Sequence, residues 1–200
     1  DGNGGVTNQS FTITVANVDD AVTGSISISG TVQEGATLTA DTSGLSDPDG
    51  SLAFTYLWKY STDNTNFSNI SGGTSKTYDI PSDQTMVGKY LQVIVTTTDP
   101  YGGSEELSAK SGQVANVNDS PTFTSTVNSA VTTATQDQAY TYTVTTNDID
   151  GDTVTLTGTT IPTWLTLNST TGVLSGTPGN SDVGSHSVVI TATDGTVNET

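Results

Sequence analysis

The chain has 200 residues, enough for two ordinary domains, and its 21 acidic residues against four lysines and no arginine give a net charge of −17. This charge argues against binding to nucleic acids and against electrostatic attachment to anionic membranes, because both depend on Lys and Arg to neutralise negative charge. The absence of cysteine excludes disulfides and Cys-based zinc sites, and no apolar run is long enough to span a bilayer.

Apolar residues alternate with Thr and Ser in short segments along the chain, a pattern typical of half-buried β-strands. In chain order these segments are FTITV (11–15), SISIS (25–29), YLQVIVT (90–96), YTYTV (140–144), TVTLT (153–157) and SVVITAT (187–193). Clusters of Gly, Asp, Asn and Pro separate them at intervals of about ten residues, which predicts β-sandwiches. No segment has the pattern of a long amphipathic helix, although SDQTMVGKY (82–90) is compatible with one helical turn.

Two nearly identical pentapeptides, ANVDD (16–20) and ANVND (115–119), indicate a repeat of modules. We predict one module over residues 19–119 and a second over residues 120–200, with residues 1–18 being the terminal strand of a preceding module. The two modules are not close copies, since their tryptophans, Trp58 and Trp164, stand in different contexts. Both tryptophans are expected to fill sandwich cores.

The second module stops one strand short of a sandwich. When Asp1-Gly2 is aligned with Asp194-Gly195, residues 8–16 take the place of the strand that is lacking. We therefore expect the N-terminal strand of one copy to fill the open edge of another, in head-to-tail contacts that need not close. The alternative is that, in the parent protein, a domain is inserted after Thr200 and the strand follows it.

The acidic residues concentrate in turns of recurring form. These turns are SDPDGS with Asp47 and Asp49, TDPYGG with Asp99, NDIDGD with Asp148, Asp150 and Asp152, and TDG with Asp194. Carboxylates at alternate positions suit Ca²⁺, which takes six to eight oxygen ligands, and the glycine lets the chain bend back. The linkers rich in Asn and Asp can add further oxygens. Zinc is disfavoured, because the chain has one histidine and no cysteine.

Several stretches resemble known modules. ANVNDSPTF resembles the cadherin junction D-x-N-D-N-x-P, and residues 121–200 resemble the dystroglycan-type cadherin-like domains of bacterial surface proteins through DIDGD, PTWLTLNSTTGVLSGTP, SDVG and ITATDG. Residues 21–115 resemble the immunoglobulin-like repeats of RTX-type adhesins through GTVQEGATLTA, LSDPDGS, YLWKYS and VTTTDPYGG. The resemblance implies an all-β fold of tandem Greek-key β-sandwiches, immunoglobulin-like and cadherin-like, arranged end to end.

The same resemblance implies calcium ligands at two junctions between modules. The internal junction would use Asn116, Asn118, Asp119, Asp148, Asp150 and Asp194, with Glu34 from the first module. The junction before it would use Asn17, Asp19, Asp20, Asp47, Asp49 and Asp99. The linkers differ, with Asp19 where the second has Asn118, so the number of ions at each junction stays open. Asp137 stands where Glu34 does, which leaves a role at a further junction open.

The function that follows is structural. We predict a non-catalytic, calcium-stiffened extender segment of an extracellular bacterial cell-surface adhesin, whose partners are the neighbouring modules. The alternatives are a module that binds peptide or carbohydrate, which an exposed Trp164 beside Tyr140 and Tyr142 would favour, and an accessory domain of a secreted hydrolase. His186 is expected to be structural. The remaining acidic residues are expected to be solvated surface charges: Asp41, Asp63, Asp79, Glu105 and Glu106.

Overall fold

The computed structural model describes residues 2, 4–128 and 131–196. Within them every regular element is a β-strand except one 3₁₀ turn at Asn180–Asp182, so the predicted all-β fold of tandem immunoglobulin-like β-sandwiches is confirmed. Contacts divide the chain into two compact units. The first comprises Asp1–Val32, Ala36–Asp79 and Lys89–Gln113, and the second Gln33–Gly35, Ile80–Gly88 and Val114–Thr200. The described part of the chain contains no helix with the length and apolarity needed to cross a membrane.

The described residues of the first unit form seven antiparallel strands. They are β1 (Ser27–Ser29), β2 (Thr37–Asp41), β3 (Ala53–Ser61), β4 (Ser68–Asn69), β5 (Thr77–Asp79), β6 (Tyr90–Thr98) and β7 (Ser104–Gln113). One sheet has the order β1-β2-β5 and the other the order β4-β3-β6-β7. Strands β3 and β6 pair along their whole length, with Ala53 opposite Thr98 and Ser61 opposite Tyr90.

Period-2 alternation explains the core of the first unit. In β6, Leu91, Val93 and Val95 are completely buried, while the residues between them are half-exposed. Trp58 is also completely buried, stacks on Tyr78 at 5.7 Å between ring centroids, and donates its indole N–H to the Ser75 carbonyl at 3.0 Å. A buried indole with a satisfied N–H confirms that Trp58 fills the core.

The described part of the second unit contains seven strands, of two to six residues each. They are β8 (Thr122–Phe123), β9 (Tyr140–Thr143), β10 (Thr146–Asn147), β11 (Thr155–Thr160), β12 (Leu165–Leu167), β13 (Val173–Gly176) and β14 (Val189–Thr193). They form the sheets β10-β8, β11-β14 and β12-β13-β9. The strand pairing of β11 with β14 is interrupted by a bulge between Gly158 and Thr160.

The core of the second unit is smaller. Its buried apolar side chains include Val144, Leu156, Leu165 and Leu174. Trp164 is only half-buried and meets the rings of Tyr140 and His186 edge to face, at 6.0 and 6.1 Å. Trp164 therefore lies at the rim of the core rather than inside it, contrary to the sequence-based expectation.

Residues 11–15 pair with no described strand, and Phe11, Ile13 and Val15 are 77, 74 and 87% exposed. That this segment is a strand completing another module stays a prediction, because a strand needs a hydrogen-bonded neighbour. Residues 82–86 are bends and residues 87–88 form a turn, in which the Val87 amide donates to the Gln84 carbonyl at 3.3 Å, without a helical element. One other local prediction is wrong. Glu105 is half-buried and accepts a hydrogen bond from the Val22 amide at 3.2 Å, so it is not a solvated surface charge.

Candidate metal centre

A first cluster of carboxylates lies in the first unit. Asp19, Asp49 and Asp99 each offer an oxygen, and these oxygens lie within 4.8 Å of one another. The three residues come from the linker, the turn before β3 and the turn after β6. We call this set the first acidic cluster.

Backbone amides orient the D-x-D turn of the first cluster. The Asp49 amide donates to Asp47 Oδ1 at 2.7 Å, which closes the turn. The Asp20 amide donates to Asp49 Oδ2 at 2.8 Å, which fastens the linker to the same turn. Asp20 and Asp47 thus position the cluster, although neither is among its three close-lying carboxylates.

The backbone of Gly103 lies directly against two carboxylates of the first cluster. A Cβ built on Gly103 would lie 1.8 Å from Asp19 Oδ1 and 2.1 Å from Asp99 Oδ2, far inside van der Waals contact. Asp99 itself is 7% exposed, and its Oδ1 accepts the Gly102 amide at 2.9 Å. Both carboxylates can come together at this point only because residue 103 has no side chain.

The electrostatics of the first cluster disfavour the charged form of Asp19. Partial desolvation raises the pKa of Asp19, and the carboxylates of Asp99, Asp49 and Asp47 raise it further. Negative groups are therefore held together here against their mutual repulsion. A cation would reverse the sign of that interaction.

A second cluster has the same local construction in the second unit. Glu34, Asp119 and Asp150 offer oxygens within 4.8 Å of one another, and we call them the second acidic cluster. The Asp150 amide donates to Asp148 Oδ1 at 2.9 Å, and the Asp119 amide donates to Asp150 Oδ2 at 2.6 Å. These two bonds repeat those at the corresponding positions of the first cluster.

Glu34 is the most deeply buried member of the second cluster, at 4% exposed. It accepts the Val117 amide at 2.6 Å, and both of its oxygens lie 3.2 Å from the Gln84 amide nitrogen. That nitrogen also donates to Asp150 Oδ1. Gln84 adopts a left-handed backbone with φ of 64°, a strained conformation for this residue type that is found preferentially at functional sites.

One oxygen beside the second cluster lacks a partner. Asp148, Asp150 and Asp152 form a third close set of carboxylates, and the Asp148 and Asp152 side chains belong to the same turn. Asp148 Oδ1 accepts two backbone amides, but Asp148 Oδ2 is buried without a hydrogen bond. A buried carboxylate oxygen without a partner is costly unless an ion or water satisfies it.

The two clusters differ at one pair of side chains. In the first cluster Asp19 lies beside Asp99. At the corresponding place in the second unit, the Asn118 side-chain amide donates a hydrogen bond to Asp194 Oδ2 at 3.0 Å. The Asn118 side chain and the Thr196 amide, both donating hydrogen bonds, lower the pKa of Asp194, the opposite of the shift at Asp19. The first cluster therefore concentrates more negative charge at this position.

The donor chemistry of both clusters fits a hard divalent cation. The ionisable groups that lie close together in both clusters are all carboxylates, with the Gln84 amide nitrogen beside those of the second cluster. Gly103 leaves no room for a methyl group, and the Asp148 oxygen is unsatisfied. Oxygen ligands without nitrogen or sulfur favour Ca²⁺ or Mg²⁺ over zinc. Ca²⁺ accommodates irregular ligand sets better than Mg²⁺, which demands near-octahedral geometry.

The structure brings together only part of the predicted ligand set. Asn17 and Asn116 are exposed, and Asp137, which is also exposed, belongs to none of the three carboxylate sets. Sequence reasoning did not identify Gln84 or Gly103. Gln84 carried no motif, whereas the paired glycines of TDPYGG were a signal for a close approach of backbone to ligand.

Comparison with known families matches each module separately. Residues 120–200 match the family described as "Putative Ig domain" (He_PIG), and residues 22–115 match a family described as a "Domain of unknown function" (DUF8696). No curated protein matches the chain. Among solved structures, the crystal structure of murine CEACAM1b is similar over 86% of this chain and 90% of its own, at 16% identity and a TM-score of 0.23. The He_PIG match supports an immunoglobulin-like module over residues 120–200.

Proposed function

We propose that the chain is a calcium-stiffened extender segment of an extracellular bacterial adhesin, as the resemblance to RTX-type and dystroglycan-type cadherin-like repeats implies. In this role the modules bear no catalytic group and hold a binding tip away from the cell. The linkers, which would otherwise act as hinges, are fixed by ions that the acidic clusters bind. Calcium would supply the positive charge that the sequence lacks.

The observation that carries the proposal is the duplicated construction of the acidic clusters. In each module an aspartate amide of the linker donates to the second carboxylate of a D-x-D turn, at 2.8 Å for Asp20 and 2.6 Å for Asp119. Two clusters built in the same way, each beside its linker, are the arrangement expected if ion binding controls linker conformation.

Charge supports the same conclusion. Two carboxylates about 4 Å apart repel by roughly 1 kcal/mol even at the dielectric constant of water. The chain has four lysines, and two of them, Lys89 and Lys110, lie 4.8 Å from the ring centroids of Tyr60 and Phe67. A bound cation is therefore the natural source of compensation for the clusters.

The experiment is a calcium titration followed by calorimetry and small-angle scattering, with EDTA and Mg²⁺ as controls. At free calcium a hundredfold above the dissociation constant, binding to the folded state alone adds about 2.7 kcal/mol. For a domain of about 100 residues this corresponds to a rise in Tm of roughly 10–20 °C. The scattering profile should become that of a stiffer particle. Identical melting and scattering curves in calcium and EDTA would refute the proposal.

A second candidate function is favoured by one feature of the second unit. A groove of about 980 Å³ is lined by Trp164, Tyr140 and Tyr142, and aromatic side chains of this kind form platforms for sugars and peptides. Under this candidate the chain is the ligand-binding module of the same kind of adhesin. A glycan or peptide array probed with the whole chain distinguishes the two, since an extender segment gives no specific signal. An accessory role beside a secreted hydrolase would be supported by a catalytic domain in the parent sequence.

A further inference from the structure

The groove of the second unit is an opening into its hydrophobic core. Besides its aromatic side chains, it is lined by core residues that include Val144, Leu165 and Leu174, which are 6, 7 and 3% exposed. Two further lining residues, Phe123 and Val127, are 49 and 74% exposed. An apolar groove that opens into a core is a candidate binding surface.

The groove runs beside a strand with a free edge. Strand β14 is hydrogen-bonded to β11, and no other described strand pairs with it. Val188, just before β14, and Ile190, within it, line the groove. A strand edge next to an apolar groove is the surface used in β-augmentation, where backbone hydrogen bonds provide affinity and alternate side chains enter the groove.

The N-terminal segment of the chain has the complementary pattern. Residues 8–16 read NQSFTITVA and carry no charged side chain, although the chain as a whole has a net charge of −17. Phe11, Ile13 and Val15 alternate with threonine, and all three apolar side chains are at least 74% exposed. As an extended strand this segment would present one apolar face and one threonine face.

We infer that residues 8–16 of a second copy of the chain bind in this groove and add a strand to the free edge of β14. Sequence supports this choice of occupant, because an Asp-Gly pair precedes the segment at residues 1–2 and the same pair, Asp194-Gly195, follows β14. Nine extended residues span about 30 Å, longer than the five-residue β14 that they would flank. Phe11, Ile13 and Val15 would face the core.

This interface is heterologous, because the segment and the groove are different surfaces of one chain. It therefore produces head-to-tail oligomers whose size grows with concentration. The inference does not depend on calcium, so oligomerisation in EDTA separates it from the proposed function. Failure of calcium binding would leave it intact, and failure of oligomerisation would leave the calcium proposal intact.

The test compares two substitutions in the exposed segment, which lies outside both folded cores. Ile13→Asp places a charge on the apolar face, and Thr14→Asp places the same charge on the opposite face of the same strand. By sedimentation velocity in EDTA, we expect the wild-type chain and Thr14→Asp to form oligomers with dissociation constants within about threefold of each other. Ile13→Asp should weaken association by tenfold or more, the range expected for an apolar anchor.

A mixing experiment tests the direction of the contact. Val127→Asp blocks the groove at an exposed position but keeps the segment, whereas Ile13→Asp blocks the segment but keeps the groove. Each variant alone should be a folded monomer by circular dichroism, and the two mixed should form a 1:1 complex. Trp164 fluorescence should change on mixing, because Trp164 lines the groove while Trp58 is completely buried.

The inference is overturned if the wild-type chain stays monomeric at millimolar concentration, or if the two segment variants weaken association equally. It is also overturned if the mixed variants form no complex. An oligosaccharide that changes Trp164 fluorescence equally in wild-type and Ile13→Asp chains, with no oligomer in either, would assign the groove to a sugar instead.

Discussion

Replacing Gly103 with alanine should weaken calcium binding at the first acidic cluster strongly while leaving the fold of the first unit intact. The new Cβ would lie 1.8 Å from Asp19 Oδ1 and 2.1 Å from Asp99 Oδ2. Each oxygen would have to retreat by about 1.5 Å to reach van der Waals separation. Calcium–oxygen distances vary only between about 2.3 and 2.6 Å, so a shift of that size removes both ligands.

The Gly103→Ala substitution should lower both the calcium affinity of the first cluster and the Tm of the first unit. Loss of two carboxylate ligands should weaken binding at this cluster by at least about tenfold, which is about 1.4 kcal/mol. At saturating calcium the Tm of the first unit should fall by roughly 5–10 °C relative to wild type. In EDTA the change should be smaller, because Asp19 is exposed and can swing away, and because residue 103 has no positive φ that would strain alanine. The buried Asp99 must also shift, and that part of the change should be the same in calcium and in EDTA.

Gly112→Ala is the matched control. Gly112 lies in β7 of the same unit, and a Cβ built there has no neighbour within 4 Å. Differential scanning calorimetry of both variants and wild type, in calcium and in EDTA, measures the calcium-dependent part of the Tm. If Gly103→Ala keeps the full calcium-dependent shift, calcium does not bind between Asp19 and Asp99 and the assignment of the first cluster fails.

Three further predictions concern single acidic side chains. Asp19→Asn should raise the Tm in EDTA, because it removes the repulsion that raises the pKa of Asp19, and should reduce the calcium-dependent rise. Glu34→Gln should weaken calcium binding at the second acidic cluster by tenfold or more, measured by isothermal titration calorimetry, and should leave binding at the first cluster unchanged. Asp63→Ala should lower the Tm at neutral pH, because Asp63 accepts hydrogen bonds from the amides of Thr65 and Asn66. Those bonds lower the pKa of Asp63 in the folded protein below the 3.8 of an unperturbed aspartate. The stabilisation from ionised Asp63 is therefore fully present above about pH 4 and is lost only as the pH falls towards the pKa of the folded state. Thermal melts from pH 7 to pH 2 should therefore show the difference from wild type shrinking only below about pH 4; a difference that is constant across this range would contradict the role of the charge.

The sequence alone was sufficient for the fold class and for the local form of the acidic turns. Alternation of apolar and polar residues is a short-range property, and β6 follows it residue by residue from Tyr90 to Thr98. The D-x-D turns are equally local, since Asp47 and Asp148 each bond an amide two residues away. These features depend on neighbours in the chain, which is why a linear pattern predicts them.

The tertiary structure decided which distant groups meet. Gln84 contacts Asp150 across 66 residues of sequence, and no pattern around either residue pointed to the other. The segment at residues 11–15 has the alternation of a strand but pairs with nothing in the described chain, because alternation indicates which face can be buried and not which strand will cover it. Likewise Trp164 lies at the rim of a groove, since burial depends on the strands packed around a residue and not on the residue itself.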